Sequence, residues 1–231
     1  MHIEENLNEI RSRAARAAER VGRKPEEITL VAVSKMVTSA EVAVAMSAGQ
    51  YVFGENRVQS LLDKIETLPA AAEHADCVRW HLIGHLQTNK VKYILDKVDL
   101  IHSLDSLHLA GEISRCAAAR GLTAHCLLQM NISGEESKHG LHPDELEPFV
   151  EAFLKLDHIV IDGLMTMAPL GAEEKELRKI FGGLRKISID MQRESMHNIN
   201  MSCLSMGMSG DFETAIEEGA TLIRVGTGIF H

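Results

Sequence analysis

From residue 28 onward, apolar residues fall into short runs separated by stretches in which they recur at helical spacing. The runs are ITLVAVSK (28–35), QYVFGEN (50–56), VRWHLIGHL (78–86), LIHSLDS (100–106), TAHCLLQMNI (123–132), HIVIDGLMTM (158–167), CLSMGMS (203–209) and TLIRVGTGIF (221–230). Their length and aliphatic, β-branched content predict buried strands. The stretches 39–48, 57–67, 88–96, 106–119, 143–155, 172–196 and 211–218 predict helices, and a charged helix precedes the first strand. Thr38 or Ser39 and Ser106 suit N-caps, while Gly49 and Gly121 suit left-handed C-caps. GTGIFH, after the last strand, is read as opening no helix.

Strands that alternate with helices imply right-handed crossovers and a parallel sheet covered on both faces. Eight such units predict a closed (β/α)8 TIM barrel, and a single domain over residues 1–231. An open doubly wound sheet is the alternative, but its glycine-rich dinucleotide fingerprint is missing.

Composition narrows the function. A formal charge of −9 argues against a general nucleic-acid binder, which needs cations to displace counterions from phosphates. Cys77, Cys116, Cys126 and Cys203 are scattered, as expected of thiols in a reducing compartment. No segment approaches the ~20 apolar residues of a membrane span, and the N-terminus lacks a secretory core. The expectation is a cytoplasmic protein that contacts neither membrane nor nucleic acid.

In a barrel of this kind the site is built where strands end and loops begin. Lys35 closes the first run: it is either a solvent-reaching lysine or an amine in a low-dielectric mouth, which would lower its pKa and make it a Schiff-base former. LSMGMSGD and RVGTG follow the seventh and eighth strands, where barrels commonly hold phosphate on backbone N–H groups. Arg224 either pairs with a carboxylate or points at a ligand, and Asn56 either caps a helix or meets a ligand oxygen. His81 and His85 sit four residues apart, about 13 Å on a strand, so they cannot share a metal; none is expected. The 11 methionines read as adaptable core filling.

Together, LVAVSK, FGENRVQ, WHLIGHLQTNK, QMNISGEESKHGL, GLMTMAPL, LSMGMSGDFETAI and IRVGTGIF resemble the pyridoxal phosphate homeostasis protein family, in order and over nearly the whole chain. The resemblance implies an alanine racemase N-terminal domain-like barrel with an extra N-terminal helix, which binds pyridoxal 5′-phosphate (PLP) and has no established turnover. It implies that Lys35 forms an aldimine with PLP and that Ser205, Gly226 and Thr227 hold the phosphate. Arg224 would face the pyridine nitrogen and Asn56 would lie beside the cofactor, with Met206 and Gly207 in the phosphate-side loop. It further implies a monomer that buffers PLP or delivers it to apo PLP-dependent enzymes. A donor-only guanidinium favours an unprotonated ring nitrogen, which weakens the electron sink of most PLP chemistry.

A PLP-dependent amino-acid racemase is the alternative, but it needs a second acid/base, and Tyr51 and Tyr93 are poorly positioned for that task. A Schiff-base aldolase acting without PLP would leave Arg224 unexplained. Lys138 is a candidate second amine for transient PLP.

Overall fold

The computed structural model describes residues 2–68, 75–135, 139–194 and 196–231. Its strands are β1 (Thr29–Val33), β2 (Val52–Glu55), β3 (Arg79–Leu82), β4 (Leu100–Leu104), β5 (Ala124–Gln129), β6 (Ile159–Met165), β7 (Ile199–Ser205) and β8 (Leu222–Val225). They pair in parallel in chain order, and β8 pairs with β1, closing the barrel.

Helix α1 (Ile3–Arg20) precedes the barrel. It buries Ile3, Leu7, Ile10, Ala14, Ala17 and Ala18, a stripe at helical spacing. The outer layer comprises α2 (Ser39–Ser47), α3 (Val58–Thr67), α4 (Leu107–Ala118), α5 (Leu146–Phe153), α6 (Glu174–Gln192) and α7 (Phe212–Glu217). The expected caps form: the Thr38 hydroxyl accepts from Glu41 N–H, Ser106 accepts from Leu109 N–H, and Gly49 and Gly121 have φ of +75° and +64°.

Three predicted elements differ. The seventh strand runs Ile199–Ser205 rather than 203–209, so Met206 to Ser209 belong to the loop that follows it. Residues 88–96 form only a 3₁₀ segment, Thr88–Tyr93. Val91 within it and Ile94 just after it are both buried and three apart, a spacing that one 3₁₀ edge satisfies. The terminal GTGIFH does open a helix, the single turn α8 (Thr227–Phe230), in which Ile229 and Phe230 are buried. Two apolar residues are too few for periodicity to reveal.

The apolar residues divide between two layers. A large cluster lies between strands and helices, and a smaller one, containing Val31, Leu100, Leu127, Met165 and Leu222, comes from alternating strand positions. The polar residues His81, His102, Gln129, Ser205 and Arg224 are also buried, further along their strands or on their neighbours. No helix among the described residues is long and apolar enough to cross a membrane.

Candidate functional site

A cavity of about 620 Å³ opens at the C-terminal ends of the strands, within the range of small-molecule sites. Lys35, Asn56, Arg224, Gly226 and Thr227 line it, so residues from three separate strand ends converge there. Lys35 lies in a turn two residues beyond β1 and is exposed, which fits the solvent-reaching reading of the two, and it stands at the rim of the cavity. The turn is anchored on both sides: Ser34 N–H donates to Gly54 O at 3.0 Å, and Thr38 caps α2. Asn56 does not cap α3, whose N-cap is Arg57. Instead its backbone packs against Gly84, where an added Cβ would come within 2.2 Å of Asn56 O.

Below Lys35 lies a buried ion pair. Glu55, fully buried, accepts from Lys64 Nζ and from Ser34 Oγ through the same oxygen, each at 2.6 Å. This ties the end of β1, the end of β2 and helix α3 together.

Arg224 is 4% exposed and crosses the barrel. Its Nη1 donates to Ser205 Oγ at 2.5 Å and its Nη2 to Thr166 O at 3.0 Å. Ser205 Oγ lies 3.0 Å from His102 Nδ1, and His102 Nε2 lies 3.0 Å from His81 Nδ1. A guanidinium only donates, so one proton assignment satisfies the whole chain: Ser205 donates to His102, and His102 donates to His81. Both imidazoles are then neutral, as burial demands. Desolvation lowers His81 to about 4, helped by Arg79, and holds His102 well below its usual range, helped by His81 and Arg224. Burial also lowers Arg224 to about 10, against the stabilising field of Asp211.

The loop after β7 sets the neighbouring wall. Gly207 has φ of +93°, and an added Cβ would lie 2.6 Å from Ala215 Cβ, so only glycine permits this turn against α7. Its carbonyl accepts from Arg224 N–H at 2.9 Å. Beyond it, Met208, Ser209, Gly210 and Asp211 line the cavity, and Asp211 Oδ1 accepts from Met208 N–H at 2.5 Å. Burial raises the Asp211 carboxyl, opposed by that hydrogen bond and by Arg224.

Ser205, Met206 and Gly207 lie behind this wall and are not among the cavity-lining residues: Ser205 and Met206 are fully buried, and Ser205 braces Arg224. Ser209 and Gly210, in the same motif, do line it. Gln129, His85 and His139 also line the cavity. Polar residues inside apolar strand runs were the available signal for Gln129 and His102. Lys138 lies outside the described residues.

The donor set suits an electron-rich, anionic ligand. A buried guanidinium hydrogen-bonds to neutral groups, an amine stands at the rim, and glycines bring the backbone close at the loops after β7 and β8.

The chain matches the family described as alanine racemase, N-terminal domain, over residues 5–231. It is 42% identical over 230 residues to a pyridoxal phosphate homeostasis protein of Aquifex aeolicus, covering 100% of this chain and 98% of the relative. Among solved structures it is similar to PipY of Synechococcus elongatus, determined with PLP bound, at 35% identity and a TM-score of 0.85, with 100% of each chain covered. Likeness to an alanine racemase of Clostridium difficile, at 14% identity and a TM-score of 0.71 over 99% of this chain and 55% of that one, concerns the fold alone.

Proposed function

Because the chain belongs to the pyridoxal phosphate homeostasis protein family, within the alanine racemase N-terminal domain class, we propose that it binds PLP at its barrel mouth and buffers or delivers it without turning over a substrate. The observation that carries this reading is the meeting of Lys35 and Arg224 in one cavity whose glycine loops follow β7 and β8. When bound, the cofactor supplies an aldehyde that condenses reversibly with a primary amine, and a ring that can withdraw electrons.

Lys35 is the amine that would hold the aldehyde. Its exposure suits capture and release of a cargo, since the amine is reachable from solvent. Arg224 would donate to the ring nitrogen, held in place by Ser205 and Thr166, and would keep that nitrogen unprotonated. The phosphate would rest on the backbone of Gly226 and Thr227 and of Ser209 and Gly210, with Asn56 beside the ring. The binding unit would be a monomer over residues 1–231. The recipients would be apo PLP-dependent enzymes.

Two features favour a carrier over a racemase. Arg224 would dampen the ring's electron demand, and neither Tyr51 nor Tyr93 is among the residues lining the cavity. Borohydride reduction after incubation with PLP, followed by peptide mass measurement, tests the site: pyridoxyl modification at Lys35, lost in Lys35→Ala, is expected. A wild-type chain that stays colourless and unmodified in excess PLP refutes the reading. Exchange of the α-proton of alanine into solvent, well above that given by free PLP, would restore the racemase alternative.

A further inference from the structure

We propose that His85, Asp105 and His139 form a binding site for a divalent transition cation of the zinc type at the edge of the barrel mouth. The proposal does not depend on what Lys35 holds. One ligand atom from each residue lies within 4.8 Å of those of the other two. His85 Nδ1 and Asp105 Oδ2 are 3.5 Å apart, too far for a good hydrogen bond. That separation is close to the roughly 3.3 Å edge of a tetrahedron whose ligands stand about 2.0–2.1 Å from a metal. The rings of His85 and His139 face each other with centroids 4.8 Å apart. Both residues are exposed, so the rings have room to turn their nitrogens inward.

His81 is engaged with His102 and is not a member of this group. The partners of His85 come instead from the next two strand ends, and each ligand has a supported backbone. His85 follows Gly84, which packs on Asn56 and whose carbonyl accepts from Ser103 Oγ at 2.6 Å. Asp105 stands between β4 and Ser106, the cap of α4. His139 O accepts from Gln129 Nε2 at 3.0 Å, and Leu141 N–H donates to Gln129 O at 2.8 Å, which ties this segment to the end of β5.

Two imidazoles and one carboxylate select zinc, cobalt or nickel over magnesium or calcium, which prefer all-oxygen shells. Because His85 and His139 line the cavity, at least one coordination position would face it.

The test uses the untagged full chain stripped of metal, titrated with Zn²⁺ against a chromophoric chelator. One Zn²⁺ per chain is expected, with affinity reduced at least about tenfold in His85→Ala, His139→Ala and Asp105→Asn, a loss that even supporting residues of metal sites produce. His125→Ala, at an exposed histidine paired with Asp162, should bind as the wild type does. Imidazole NMR signals of the unmodified chain give a readout free of folding effects: those of His85 and His139 should move together on adding Zn²⁺. Equal affinity in all variants, no stoichiometric binding, or movement confined to other histidines overturns the proposal.

Discussion

Two cations are buried near the same barrel mouth, and they are matched in different ways. Lys64 is 7% exposed and Arg224 is 4% exposed. Lys64 reaches back from α3 to the Glu55 carboxylate, which Ser34 also serves, so its charge is answered within the protein. Among the described residues, Arg224 hydrogen-bonds to a serine hydroxyl and a backbone carbonyl, both neutral, while Asp211 acts on it only through space. Lys64 stands behind the wall and Arg224 lines the cavity. Burial alone therefore does not identify a functional cation. The useful distinction is whether the protein provides its own countercharge or leaves donors facing a space where an acceptor can enter.

The largest expected effect tests the first half of that contrast. Lys64→Met strands a buried carboxylate and should cost about 3–5 kcal/mol in urea unfolding. A loss below about 1 kcal/mol, the range of exposed pairs, would remove the distinction from a surface ion pair.

Acid pH probes the network beneath Arg224. His81 and His102 are neutral when folded and titrate normally when unfolded, so below pH 6.5 the unfolded chain binds more protons and stability falls with pH. His81 alone should contribute a loss of about 2–3 kcal/mol between pH 7 and pH 4.5. Urea titrations at the two pH values check this, and replacing His81 with Gln should flatten the dependence. An unchanged slope in that variant would show that other groups control it.

Arg224→Met should lose at most about 2 kcal/mol of stability, because two acceptors lose a donor while the penalty of burying a charge is relieved. PLP affinity, followed by visible absorbance, should nevertheless fall strongly. Stability loss as large as for Lys64→Met would mean that both cations are scaffold. The smallest effect belongs to the surface, where Arg178 bridges Glu174, Glu217 and Glu218 with its side chain 40% exposed. Arg178→Ala should cost less than about 1 kcal/mol and less still in high salt.

The barrel was legible because its signals are local: aliphatic runs, capping residues such as Thr38 and Ser106, and glycines at 49 and 121. The location of the cavity followed from where those runs ended, and Lys35, Asn56, Arg224, Gly226 and Thr227 all line it. What pairs with what was not legible. Lys64 looks like any helix lysine until α3 folds onto β2, and the contact of His102 with Ser205 spans 103 residues. Ser205 and Ser209 belong to one motif, yet a single glycine turn puts the first behind the wall and the second on it. Motif matching cannot see that difference because it lies in backbone conformation.

Helix α1 also shapes how this protein can form. Arg13 bonds Glu213 across 200 residues, and Asn6 donates to Ile229 O across 223. During synthesis, α1 emerges before α7 and α8 and must wait for them before its apolar stripe is fully covered. Those same late segments carry the loops around Arg224. Completion of the cavity and docking of α1 should therefore be one late event, with the high contact order that makes folding slow. A nascent chain halted before β8 would have neither the cavity nor a closed barrel.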